Sequence, residues 1–332
     1  HISRINLIRD MRENSNINKA LAYYIGYSTD DLIRYKASSG GIGTSIIKYL
    51  LSTSEYDTSM TFVYDKEKCG YIPKLIYDFN EINICGSVYQ DIDIFSFLKE
   101  NISSIKNGII VTCMPCQVQG IRSVLDRNNI NNFIISFCCS GQTTLEGTWL
   151  CYRYMGIDKS QVINMQYRGN GWPSGIQIEL FDGKKIYKNN YTNPWRLMHQ
   201  SKLFRPKRCL MCKEDISYKA DVSLADPWLG KYKISDKIGH TMFLINTEKG
   251  LAFIEEMKNK SLLRLIDSSV EDYIEAQGHT IMAKDKASLE KKFNNILSKM
   301  GNNILYKKIM TLSPFMLRFH MLIIRIVYKI VK

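Results

Sequence analysis

The residues best equipped for chemistry in this chain are its cysteines. Cys209-Leu-Met-Cys212 is a C-x-x-C pair in a polar, basic segment, Cys113-Met-Pro-Cys116 is a second, and Cys138 and Cys139 are adjacent thiols. Paired thiolates at this spacing hold metals or metal clusters. Zinc ribbons separate two such pairs by about 15–20 residues, and here the pairs lie much further apart. A 4Fe–4S cluster needs four thiolates and can draw them from distant segments of a folded chain. Cys116, Cys139, Cys209 and Cys212 meet that need. Structural zinc, or service as small buried apolar side chains, are the other uses open to the same residues. Cys69, Cys85 and Cys151 stand singly and read as ordinary packed thiols.

Positioning such a set requires a rigid frame, and the hydrophobic pattern supplies one. Gly108 to Thr112 reads as a buried strand, Val118, Ile121, Val124 and Leu125 as one face of a helix, and Phe133 to Phe137 as a second buried strand. A strand–helix–strand unit of this kind is parallel and right-handed. Cys116 and Cys139 each follow the carboxyl end of one of its strands, where open α/β sheets bind ligands. Upstream, Ile42, Ile46, Ile47, Leu50 and Leu51 keep helical spacing directly after Ser38-Ser39-Gly40-Gly41, and Met60 to Tyr64 forms a short strand. Backbone amides opening that helix, with its dipole, suit a diphosphate; a plain cap and turn would read the same. Downstream, Ile176 to Leu180 alternates, turns at Asp182-Gly183 and resumes at Ile186-Tyr187, a hairpin. Phe243 to Ile245 reads as a further strand and Leu251 to Met257 as a helix. The expected fold is mixed α/β, divided into parts 18–105 and 106–285 with a basic tail, 286–332.

The chain has 332 residues, 45% hydrophobic and 23% charged, with only seven prolines. This composition excludes disordered and fibrous classes. The net charge is +13, and from Lys291 to Lys332 there are nine Lys/Arg and no Asp or Glu. Nine cysteines without a disulfide-scaffold pattern, and a charged stretch from His1 to Lys19 with no sustained apolar core, point to a reducing, cytoplasmic setting. Ser313-Pro314 is a good helix start. Beyond it, Arg318, Arg325, Lys329 and Lys332 share one stripe amid apolar residues. At about 18 residues with regular charges, this segment reads as an amphipathic helix lying in the plane of an anionic membrane, or docked on the core or a partner, rather than a span. No basic, aromatic groove motif accompanies it, so nucleic acid is not expected.

Taken together, the motifs resemble the coenzyme F420 hydrogenase/dehydrogenase beta-subunit family of iron–sulfur flavoproteins. Six segments carry the resemblance in order: Ser38-Ser39-Gly40-Gly41; Gly86-Ser87-Val88-Tyr89; Met114-Pro115-Cys116-Gln117; Cys139-Ser140-Gly141; Tyr167-Arg168-Gly169-Asn170-Gly171-Trp172; and Cys209-Leu210-Met211-Cys212 followed by Ala220-Asp221-Val222-Ser223. The resemblance implies one 4Fe–4S cluster on Cys116, Cys139, Cys209 and Cys212. It also implies FAD near Ser38, Ser39, Gly40, Gly41, Gly86, Ser87 and Tyr89, with Arg168 toward a phosphate, Asn170 nearby, Trp172 stacking on a flat ring, and Asp226 in a binding role. Ser140 stands where the family has His, and Ala225-Asp226-Pro227-Trp228 departs from its Gly-Asp-x-Trp. No cysteine precedes Cys69, so the ferredoxin-like module that many family members carry there is expected to be absent, truncated or replaced by a separate ferredoxin, and the resemblance implies a ferredoxin-like protein or a reduced coenzyme as electron donor. Similarity to a branch found beside bacterial surface-polysaccharide enzymes implies an activated, nucleotide- or lipid-linked sugar as substrate, at the inner face of the cell membrane. A relay subunit without its own substrate and a cofactor-free assembly factor are the alternatives. His199, His240 and His279 are candidate proton donors with no role assigned.

Overall fold

The computed structural model describes residues 20–189, 192–284 and 288–331. The readings of the first nineteen residues and of Lys332 therefore fall outside the described residues. The frame is an eight-stranded mixed sheet in the order β11-β1-β10-β9-β5-β4-β2-β3. Its strands are β1 Ala22–Ser28, β2 Thr58–Asp65, β3 Gly70–Ile76, β4 Gly108–Thr112, β5 Asn131–Phe137, β9 Val222–Ala225, β10 Thr241–Ile245 and β11 Leu263–Asp267. The pairs β2–β4, β4–β5 and β5–β9 are parallel, and the outer pairs are antiparallel. The mixed α/β expectation is borne out.

The parallel centre forms because its strands are apolar on both faces. Ile110 of β4 and Phe133 and Ile135 of β5 enter a core with Ile42, Ile46 and Leu50 of the helix Ile42–Leu51. Their neighbours Ile109, Val111 and Ile134 turn to the opposite face, against Val118, Ile121 and Leu125 of the helix Val118–Arg127. All are fully buried, and each such side chain stabilises the fold by about 1.5–3 kcal/mol. Asp221 locks the crossover into place. It is itself buried, pairs with Arg122 Nη2 at 2.9 Å, and accepts from the Ile134 amide and the Thr247 hydroxyl at 2.8 Å each.

The expected hairpin is β7 Gly175–Leu180 and β8 Lys185–Asn189, joined with β6 Val162–Gln166 in a separate three-stranded sheet. Asp182 caps the turn by accepting from the Lys184 amide at 2.9 Å. The parts 18–105 and 106–285 do not form separate sheets: β1, from the first, pairs on both sides with β10 and β11 of the second.

Behind this body lie helices Ser288–Asn302, Ile304–Met310 and Pro314–Val331. The last is docked. Leu317 and Met321 pack in a core with Trp195, Leu197 and Phe204, and Ile324 packs with Leu210 and Leu297. Buried His320 bonds to Tyr306 OH at 2.8 Å and donates to Ser201 O at 3.2 Å. Among the described residues no single helix is long and apolar enough to cross a membrane; the last two helices meet at a 112° bend.

Candidate functional site

Three adjacent parallel strands end at one cleft of about 550 Å³. From β4 the chain enters a loop carrying Cys113 and Met114, then the single turn Pro115–Gln117 with Cys116, braced where the Met114 amide donates to Gln117 Oε1 at 3.0 Å. From β5 it passes to Cys138 and Cys139, and the Cys139 amide donates to Asp215 O at 2.7 Å. From β9 it passes to Asp226. The short helix Lys207–Met211 brings Cys209 and Cys212 to the same cleft.

The four cysteines singled out in sequence therefore converge. The Cys116 thiol hydrogen-bonds that of Cys212, which drives the Cys116 pKa up and holds Cys212 down at about 5; Cys139 and Cys209 are near enough to act on Cys116 electrostatically. Burial pushes Cys139 up, and Lys284 partly offsets this. Lys284 is a buried cation at the end of the helix Val270–Lys284, facing the thiols from a distant part of the chain. Among the described residues no three His, Cys, Asp or Glu side chains are disposed around one metal ion. A lone tetrahedral zinc would draw four sulfurs to about 2.3 Å from its centre, whereas a cluster keeps them apart with its own irons and sulfides. Cys113 is buried in the core and Cys138 bonds Gln277 Oε1 at 3.3 Å.

Ser38, Ser39 and Gly41 line the same cleft at the start of the helix Ile42–Leu51, whose Gly41 cap has φ 78° and no side-chain bond; Gly40 does not line it. Gly40 is fixed by crowding: a Cβ there would sit 2.4 Å from Gly26 O and 2.6 Å from the Thr241 amide. Its amide donates to Thr241 Oγ1 at 2.8 Å, and Ser39 Oγ lies 2.9 Å from the same oxygen. Gly86, at φ 66°, lets its loop press against Arg168 O, and Ser87 Oγ meets Ser38 Oγ at 2.8 Å.

Arg168 and Asp226 meet in a two-pronged ion pair at 2.7 and 2.9 Å, and Arg168 also donates to Ser38 O at 2.7 Å. The guanidinium is thus engaged within the protein, buttressing the glycine turn. Trp172 donates to Asp226 Oδ1 at 3.2 Å and is buried in the core, its ring 4.9 Å from Trp228. Trp228, not Trp172, lines the cleft. Asn170 is exposed beyond it and donates to Gln177. Tyr89 lines the cleft within an aromatic group of Tyr167, Trp195 and His199.

Sequence reasoning passed over Gln142, Trp195, Gln277 and Lys284, which also line the cleft. Gln142 Oε1 is buried with no hydrogen-bond partner among the described residues. A free acceptor beside the opening turn of a helix suits a ligand rich in N–H, hydroxyl and phosphate groups. Of the three histidines, His199 lines the cleft and burial holds its pKa at about 3, so it is neutral at pH 7. His279 also lines it, while His240 is bound to Asp236 at 2.7 Å.

The chain belongs to the family described as coenzyme F420 hydrogenase/dehydrogenase, beta subunit: its N-terminal model matches residues 23–99 and its C-terminal model residues 106–270. Among particular relatives, it is 25% identical over 254 residues to the F420-dependent formate dehydrogenase subunit beta of Methanocaldococcus jannaschii, covering 74% of this chain. It spans 62% of that relative's length. In fold it matches a chain of the F420-reducing NiFe hydrogenase complex from Methanosarcina barkeri, with a TM-score of 0.62 and 17% identity over 81% of this chain and 92% of that one. The first relative is a subunit of a dehydrogenase and the second a chain of a hydrogenase complex.

Proposed function

We propose that this chain is an iron–sulfur flavoprotein that takes electrons from a ferredoxin-like protein or reduced coenzyme and delivers them to an organic substrate, an activated sugar of surface-polysaccharide synthesis. The carrying observation is the meeting of Cys116, Cys139, Cys209 and Cys212, from three separated segments, at one cleft with the glycine turn. In this reading the four cysteines hold a 4Fe–4S cluster and the cleft holds FAD. Such a pair exchanges single electrons for two-electron chemistry when bound. The protein's own residues prepare the place. Lys284 offsets the negative charge of gathered thiolates, Arg168 and Asp226 brace the turn that opens the helix, and neutral His199 offers a hydrogen bond without adding charge. The reading includes a peripheral position on an anionic membrane, where lipid-linked glycan precursors reside.

Anaerobic purification with iron, sulfide and flavin measured per chain tests the redox core. About four irons, four sulfides and one flavin are expected; zinc, or no cofactor after reconstitution, would overturn it. A relay role within a larger complex is the second reading, favoured because the matched hydrogenase chain is part of a complex. Substrate turnover by the isolated chain separates the two.

A further inference from the structure

We infer that the outward face of the helix Pro314–Val331 is a docking surface for an anionic lipid bilayer, and that it holds the cysteine-bearing end of the cleft beside that bilayer. The inference rests on the membrane reading above and specifies its surface. At 100° per residue, Leu317, His320, Met321 and Ile324 share one side of the helix, and all are buried against the body. On the other side stand Phe315, Phe319, Leu322, Ile323, Ile326 and Ile330, each open to solvent, Phe315 at 73% and Ile330 at 75% exposure. Their spacing makes one continuous apolar stripe, and large exposed apolar patches mark interaction surfaces.

Charge identifies what covers it. Along the border between the two sides run Arg318, Arg325 and Lys329, all exposed, and the chain carries no carboxylate after Glu290. An apolar stripe edged by cations matches the acyl–headgroup boundary of an anionic leaflet. The preceding helix adds exposed Ile304, Leu305 and Ile309, and Leu312 follows it. Since Ile324 packs on Leu210, between Cys209 and Cys212, and Arg325 reaches the cleft-lining Gln200 at 3.4 Å, the same helix ties the bilayer to the cluster end of the site.

Co-sedimentation of the full chain with phosphatidylcholine vesicles, with and without phosphatidylglycerol, tests this without any cofactor. The wild type is expected to bind the phosphatidylglycerol vesicles and to release them as salt rises. Phe319→Ser with Ile326→Ser should weaken binding at least tenfold. Arg318→Gln with Lys329→Gln should cost about fivefold per charge and erase the preference for phosphatidylglycerol. Melting temperatures near wild type confirm that both variants remain folded. A wild type that binds neither vesicle would overturn the membrane reading altogether. Wild-type binding that both variants retain would overturn the assignment to this face alone, as would a dimer that dissociates on Phe319→Ser.

Discussion

Arg168 and Asp226 come from motifs 58 residues apart and meet in a two-pronged ion pair at the cleft wall. Their pair is nearly buried, and removing one partner strands the other's charge, at a cost of about 3–5 kcal/mol. Asp226→Ala is therefore expected to lower unfolding free energy by that amount in urea titrations, and to weaken the proposed flavin site through the loosened Ser38 turn. Lys284 acts differently, through charge. Lys284→Met should leave the fold intact but lower the midpoint potential of the proposed cluster, read by redox titration, because an added electron loses its nearby cation. His199 sets a pH dependence. Its pKa falls from an ordinary value of 6.5 to about 3 in the fold, so below pH 6.5 the unfolded chain takes up a proton that the native chain refuses. Stability then falls by on the order of 1 kcal/mol per pH unit between 6.5 and 3. His199→Gln should flatten that slope in pH-resolved thermal melts.

At the scale of elements, the segments with strong patterns were legible beforehand. Unbroken apolar runs marked β4 and β5, helical spacing marked Ile42–Leu51, and a turn between alternating runs marked β7 and β8. The edges were not. β11 reads Leu-Arg-Leu-Ile-Asp and β3 carries Pro73, so each has one solvated side and no clean period. At the site, the cysteines were visible because their type is rare and their spacing tight. Gln277 and Lys284 carry no local mark, since the helix Val270–Lys284 brings them to the cleft from a remote part of the chain, and Gln142 is a lone amide in the loop after Cys139-Ser140-Gly141. Trp172 shows the reverse error: its motif marks a position that braces Asp226 from the core side. The elements also rank the damage of substitutions. Gly40→Ala forces a Cβ into the β1–β10 edge and should cost about 1–3 kcal/mol. A stability loss under 0.5 kcal/mol in denaturant unfolding would contradict the crowding seen there.

At the scale of the molecule, packing of the basic tail on the core leaves room for the outward-facing role that sequence reading set against it. One side of the last helix completes the body's core and the other stays open. Truncation before Ser313 is accordingly expected to destabilise the whole chain by about 5 kcal/mol, from loss of Leu317, Met321 and Ile324 contacts. Calorimetry would show this as a lower melting temperature, whether or not lipid is present. Strand β1 carries a different consequence. Ala22 pairs with Ile245 and Ser28 with Leu263, so β1 has no neighbour among the described residues until nearly all of the remaining sheet has been translated. At about 5–20 residues per second it waits roughly ten to fifty seconds with both edges bare. A nascent chain stalled before residue 240 should therefore remain bound to chaperones and open to protease, even though its β4–β5 unit has already been made.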